Sequence, residues 1–350
     1  RKRRRKSMKN KLGKVLRAML LTLTIVLMYS MNVSAASGQA SIGSKNYATV
    51  QSALSAVQNG QTIRLNQDVT LKKTLFFKKN VKYTFDMNKH KVTSKITESN
   101  VGDFDVQAGN VTFTNGTTSA AIFVHEKANV TVKDGTYSQI DNWGKTTIKN
   151  GKIVNKVYSA ICNYKGTLVI NKVTARANYN CIYAEGGTVT VNGGNYKAAN
   201  SQTTYPLVFS RKATVYLKGG KYTATNASAV YNENGKITIS GGNYSGNSGT
   251  HWGMITNCKT MSIKGGTFTN SGYLYALFCA EKSSTVVSGG KFTLQADVIR
   301  AAYGRKKLLV NGGTFKARAV LLCEFDDFNI KMDKNKMKLI GSTRISDGIF

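Results

Sequence analysis

Thr190-Val191-Asn192-Gly193-Gly194-Asn195-Tyr196 returns, with small changes, along the chain. The copies are YLKGGKY (216–222), TISGGNY (238–244), SIKGGTF (262–268), VVSGGKF (286–292) and LVNGGTF (309–315). From Gly194 to Gly313 the anchoring glycines are 26, 22, 24, 24 and 23 residues apart. Earlier copies lie around Gly116, Gly135 and Gly151, and one glycine-poor copy, LVINKVT, lies between Gly151 and Gly194. This period is short for helical repeats, which run to about 33–47 residues. Within each copy, apolar and polar residues alternate over four or five positions, which is strand periodicity. Several short strands per repeat, with no helix between them, predict an all-β right-handed parallel β-helix solenoid. Its coils stack about 4.8 Å apart, so that equivalent side chains form ladders.

Working outward, YATVQSALSAVQNGQTIRLNQDVTL (47–71) reads as a short helix followed by a strand. Val50, Leu54 and Val57 give the helix one apolar face, suited to covering the open first coil. Ahead of it, residues 1–17 carry ten basic residues and no acid. An apolar run, 18–31, and the small residues Val33-Ser34-Ala35 follow. This order is that of a secretory signal over 1–35, and Met8 is an alternative start. Its apolar run is short of the roughly 20 residues that span a bilayer, so no transmembrane span is expected after cleavage. The solenoid is expected over 36–337. Residues 338–350 form a C-terminal segment without an evident cap, which leaves open a longer chain.

Lysine and arginine number 50 against 17 acids in 350 residues, a formal charge of +33. Removing residues 1–35 takes ten positive charges away and leaves +23. A secreted or cell-surface protein of that charge suits anionic partners such as acidic polysaccharide or wall polymer, and no specific nucleic acid is expected. Three histidines leave little material for a histidine zinc site. Five cysteines are too few and unevenly placed for a disulfide scaffold, so free thiols are expected.

The capping segment, QTIRLNQDVTL and the GGxY/GGxF copies resemble the right-handed parallel β-helix superfamily typified by pectate lyases. That resemblance covers roughly residues 47–337. It implies the fold, and a function drawn from lyases, hydrolases, phage spikes or non-catalytic surface proteins. Lyases of this fold hold calcium on acidic residues of one sheet, and the hydrolases use paired Asp residues.

In the strand before each glycine, Val132, Ile148, Ile170, Val191, Leu217, Ile239, Ile263, Val287 and Val310 align as an inward column. The two outward columns beside it contain no carboxylate. Calcium would need several oxygen ligands there, and glycoside cleavage usually needs two carboxyls. Calcium is therefore expected only under a lyase reading. Asp326-Asp327 is the densest acid pair and reads as a terminal turn. The next position is basic at Lys133, Lys149, Lys218, Lys264 and Lys331, with Asn171, Asn192 and Asn311 between. This stripe either tracks a polyanion or guards a solvated edge.

A second sheet is expected to place Ile161, Ile182, Val208, Val230, Met254, Phe278, Ala301 and Leu321 in the core. Glu126, Asn142, Tyr164, Glu185, Arg211, Glu233, Asn257 and Glu281 then form an outward column. Two residues back, Tyr183, Phe209 and Tyr231 would form an aromatic ladder beside Glu185, Arg211 and Glu233. Such a ladder suits sugar rings unless a bend buries it. The residues after the glycines, Tyr137, Tyr196, Tyr222, Tyr244, Phe268, Phe292 and Phe315, read as stacked core. Two functions are carried forward. The first is a secreted, non-catalytic β-helix that binds extracellular polysaccharide or anionic cell-wall polymer. The alternative is a polysaccharide lyase acting on acidic polysaccharide, with a loop at His251 and Trp252 as one place for its site.

Overall fold

In Thr188–Val191, Val189 and Val191 are buried while Thr188 and Thr190 stay half-exposed, and the same alternation recurs coil after coil. The computed structural model describes residues 38–96, 102–199, 204–246, 253–270, 275–302, 304–323 and 330–346. These form a β-solenoid of about 12 turns with parallel sheets. Each coil contributes a first strand such as Thr188–Val191, a glycine turn, a second strand such as Asn195–Ala198, and a third such as Val208–Ser210. Apart from the antiparallel strands at the N-terminal end, strands of each kind pair with their counterparts above and below, giving three stacks, the third of them 13 strands deep. The expected inward column, Val132 through Val310, is fully buried.

The glycine turn explains the GGxY signature. Gly194, Gly220, Gly242 and Gly266 hold φ between +98° and +120°, where an L side chain is strained. A Cβ on Gly220 would also lie 3.2 Å from the rings of both Tyr196 and Tyr222. Two residues on, the tyrosine turns inward and its hydroxyl donates back across the turn. Tyr196 reaches the Gly193 carbonyl at 2.8 Å, Tyr222 that of Gly219 at 3.0 Å, and Tyr244 that of Gly241 at 3.0 Å. From Tyr196 to Phe315 the rings stack at 4.6–5.1 Å between centroids. The column is core, as its sequence pattern implies.

A second internal ladder is polar. Asn142, Asn163, Asn232 and Asn257 end their third-stack strands and are completely buried. Asn142 Nδ2 donates to Asn163 Oδ1 at 2.6 Å, and Asn232 Nδ2 donates to Asn257 Oδ1 at 2.8 Å. Their remaining donors meet turn carbonyls, including Gly186 and Thr260. The chain therefore turns inside the solenoid without leaving these amides unpaired.

The N-terminal end is closed by the expected helix, Val50–Ala56, whose capping box pairs Thr49 with Ser52. Val50, Ala53, Leu54 and Val57 are buried. Gln51 accepts from the Phe76 N–H at 2.9 Å and donates to the Phe76 carbonyl, occupying the edge strand of the third stack. Ala40–Ile42 pairs antiparallel with Thr62–Leu65 and covers the first stack's edge. At the other end, parallel pairing continues beyond residue 337. Gly313–Phe315 pairs with Met337–Leu339, and Ala319 pairs with Arg344. Residues 1–35 lie outside the described residues.

The observed pairing corrects the second-sheet columns. Ile161, Ile182, Val208 and Val230 continue into Ile255, Leu277, Ile299 and Leu321, not into Met254, Phe278 and Ala301. The column outside it runs His125, Trp143, Tyr164, Glu185, Arg211, Glu233 and Cys258. Glu126, Asn142, Asn257 and Glu281 are not in that column. The physical cause is turn length. Lys145 and Thr260 come three positions after Asn142 and Asn257, Thr167 comes four after Asn163, and Asn129 and Ser284 come five after Val124 and Cys279. A constant offset from the following strand is therefore misplaced wherever the turn is shorter or longer. Lys331 is corrected too: it faces Leu309 in the first stack and is not part of the glycine-turn stripe.

Candidate functional site

Charge is segregated by face. Between Gly135 and Lys316 the acids are Asp141, Glu185, Glu233, Glu281 and Asp297. Asp141 lies in a third-stack strand, Glu185 and Glu233 directly follow third-stack strands, Glu281 lies in the turn beyond one, and Asp297 just precedes another. Over the same span, the outward sides of the first stack, the glycine turn and the second stack carry lysine and arginine with no carboxylate. In the turn, Lys133, Lys149, Lys218 and Lys264 are all exposed. Asn192 Nδ2 donates to Asn171 Oδ1 at 2.8 Å in the coils between Lys149 and Lys218. Beside them, strand pairing sets Lys152, Lys221 and Lys291 in one outward column and Arg176, Lys197 and Lys316 in another. Arg176, Asn195, Lys197, Lys221 and Thr223 line a shallow concavity of about 390 Å³.

The third stack carries the expected aromatic ladder. Tyr183, Phe209 and Tyr231 point outward on consecutive coils and are half-buried. They stack on one another at 5.6 Å, with interplanar angles of 5° and 19°. Tyr183 donates to Glu185, and Arg211 lies between Glu185 at 3.7 Å and Glu233 at 3.2 Å. The guanidinium is held above its ordinary range by the hydrogen bond it donates to the Tyr183 hydroxyl and by both carboxylates. Ring faces turned toward neighbouring rings leave mainly edges and this charge ladder for a ligand.

The corrected register extends the strip toward the N-terminal coils, adding Phe123 and Trp143, which the sequence reading did not single out, to the expected Tyr164. Phe123, Trp143 and Tyr164 continue the aromatic run, with Trp143 and Tyr164 stacked at 4.3 Å. Asp105 and Asp141 share the outward parity of Phe123 and Cys162. His125 Nε2 meets Asp105 Oδ1 at 2.5 Å. Near them, Gln107, Phe123, His125 and Trp143 line a cleft of about 780 Å³. Two coils separate the two aspartates, which the outward columns of the first stack could not reveal.

Asp141 is only 2% exposed; Gln139 donates to its Oδ2 at 2.7 Å, while Oδ1 has no partner. Burial pushes its carboxyl above the ordinary 3.8, against the lowering effect of Gln139 and Cys162. The folded protein therefore holds this proton to higher pH than the unfolded chain. Its stabilising contribution is full below about 3.8 and is lost as pH rises through the folded value. Asp141→Asn is accordingly expected to be more stable than the parent at pH 7, with the gap closing toward acid. Denaturation midpoints at both pH values check this, and a pH-independent gap would contradict it.

Cys162, Cys181, Cys258 and Cys279 are free. Burial raises the thiols of Cys181 to about 12 and Cys279 to about 11. No cluster of three or more His, Cys, Asp or Glu side chains suited to a metal ion occurs among the described residues. No helix among them is long and apolar enough to cross a membrane. Asp326-Asp327, His251 and Trp252 lie outside the described residues. No family model, curated protein or solved structure matches the chain.

Proposed function

We propose that this is a secreted, non-catalytic β-helix of the pectate-lyase-like type that binds extracellular anionic polysaccharide or cell-wall polymer. The observation that carries the reading is the segregation of charge. Two faces and the turn between them offer rows of lysine and arginine over many coils, while the carboxylates gather at the third stack. A linear polyanion lying along the solenoid axis meets cations coil after coil, and the parallel stacking makes that surface rigid and extended. Lys133, Lys149, Lys218 and Lys264 are the turn residues of this surface. Tyr183, Glu185, Phe209, Arg211, Tyr231 and Glu233 offer a separate, mixed-charge strip on the third stack. No cofactor is part of this reading.

The test is retention of the 36–350 chain on polygalacturonate, alginate and neutral dextran. Binding is expected to be selective for the acidic polymers and to weaken between low salt and 0.15 M, where screening shortens to about 8 Å. Lys149→Glu/Lys218→Glu/Lys264→Glu is expected to lower it further while changing the unfolding free energy by no more than about 0.5 kcal/mol per substitution. Equal retention on dextran at both salt levels would exclude the proposal. Sustained release of unsaturated product would replace it with the lyase alternative.

A further inference from the structure

Of the five large apolar side chains exposed among the described residues, all but Leu339 are grouped at one corner. Val157 and Tyr158 are 58% exposed, Tyr179 36% and Tyr205 46%. The three tyrosines occupy the turn between second and third strands on three successive coils. Each stands two residues before a buried residue of one column, Ala160, Cys181 and Leu207. Tyr158 and Tyr179 meet edge to face at 6.0 Å, and Tyr179 and Tyr205 pack at 4.3 Å. Isolated exposed apolar residues need no explanation, but a contiguous exposed aromatic row marks an interaction surface.

The row is held firmly from beneath. Asn155 Oδ1 accepts from the Val157 and Tyr158 N–H groups at 2.9 and 2.8 Å. The Asn180 N–H donates to Ser159 Oγ at 3.2 Å, and Asn180 Nδ2 donates to the Pro206 carbonyl at 2.6 Å. Asn155, Ser159 and Asn180 are each less than a tenth exposed. A buried polar ladder thus fixes the backbone of a turn whose aromatic side chains face solvent.

The same coils bring charge to the corner. Arg176 stands three residues before Tyr179, and Lys197 pairs with Arg176 on the next coil, both exposed and both lining the 390 Å³ concavity. We infer that Tyr158, Tyr179 and Tyr205 form a sugar-ring platform, and that Arg176 and Lys197 bind the carboxylates of the uronate polysaccharide lying on it. The inference rests on the polyanion reading above and gives it a chemical class. A tyrosine offers an apolar ring and a hydroxyl together, matching the C–H face and hydroxyls of a sugar. Single-stranded nucleic acid fits less well, because rings 4.3 Å apart leave no slot for a base between Tyr179 and Tyr205, whereas a sugar ring would rest across the solvent side of the row, where Tyr158 and Tyr205 are 58% and 46% exposed.

The experiment compares the 36–350 chain with Tyr158→Ala/Tyr179→Ala/Tyr205→Ala and with Arg176→Gln/Lys197→Gln. Probes are polygalacturonate, methyl-esterified pectin and oligothymidylate. The parent is expected to keep measurable binding to polygalacturonate at about 1 M salt, where screening leaves about 3 Å. The tyrosine variant is expected to lose that residue and to bind about tenfold or more weakly at low salt. The arginine–lysine variant is expected to weaken on polygalacturonate but not on the esterified polymer. Unfolding midpoints monitor folding, and the single Tyr158→Ala variant serves if the triple variant does not fold. Parental binding with an unaffected tyrosine variant overturns the platform and leaves the polyanion reading standing. A parent that binds no acidic polymer overturns both. Tyrosine-dependent binding of oligothymidylate in place of polygalacturonate overturns the uronate assignment.

Discussion

Tyr222→Ala is expected to cost about 3–5 kcal/mol of stability, the range for deleting a large buried ring. Tyr222 is fully buried, with Tyr196 and Tyr244 each 4.7 Å away in the stack. Its loss opens a gap in the middle of the column and removes the donor to the Gly219 carbonyl. Because each coil rests only on its neighbours, the damage is local in origin and weakens two coil interfaces at once. Tyr222→Phe removes the hydroxyl alone and is expected to cost about 1 kcal/mol. Phe268, Phe292 and Phe315 occupy the same column without a hydroxyl. Guanidinium unfolding of the three proteins distinguishes the cases. A loss of less than about 1 kcal/mol in the alanine variant would mean that the ring column is not the core it is taken to be.

Asn232→Leu is expected to be similarly severe, although it adds apolar surface to the interior. Asn232 Nδ2 donates toward the Gly235 and Thr260 carbonyls and Asn257 Oδ1, and its Oδ1 accepts from the Gly235 N–H at 3.0 Å. Leucine leaves these groups buried and unpaired, at about 1–3 kcal/mol for each that water cannot reach. Asn232→Ser should be milder, since Ser210 fills the equivalent place one coil earlier and donates to the Ala213 carbonyl. The ordering of unfolding midpoints, parent above serine above leucine, is the measurement. A leucine variant as stable as the parent would show that the amide ladder adds nothing.

The solenoid was legible because its strongest signals are local. Alternation in TVTV or TITI, followed by a glycine turn and an aromatic, declares a strand, a corner and the next strand within seven residues. The first stack and the glycine-turn stripe were therefore placed correctly wherever that unit is intact. Lys331, where the unit has decayed, was not. The third stack was harder to read because it follows turns of variable length, so Glu126 was set where His125 belongs. That one-residue slip concealed Trp143, the extended aromatic run and the outward parity of Asp105 and Asp141. The tyrosine corner was written in KVYSAI, ANYNCI and TYPLVF. Aligning the small buried residues Ala160 and Cys181 would have brought Tyr158 and Tyr179 into one column. Tyr205 needed the strand pairing, because Leu207 follows a longer turn.

Between Val132 and Phe315 the glycine turn keeps one length, whereas the same corner takes six residues from Ile63 to Val69 and seven from Phe85 to Val92 and from Met332 to Leu339. Five residues carry Val132 to Tyr137, and five carry Val310 to Phe315, as in every coil between them. The other two corners vary from coil to coil. One residue inserted into a five-residue glycine turn would either reverse the inward and outward sides of the strand that follows or require a different turn, as between Ile63 and Val69. At either other corner, the same residue merely widens a loop before pairing resumes. Over the coils that carry the glycine unit, one edge thus keeps its length while the outline diversifies along the other two, and at both ends of the solenoid, where the glycines are missing, that edge is released as well.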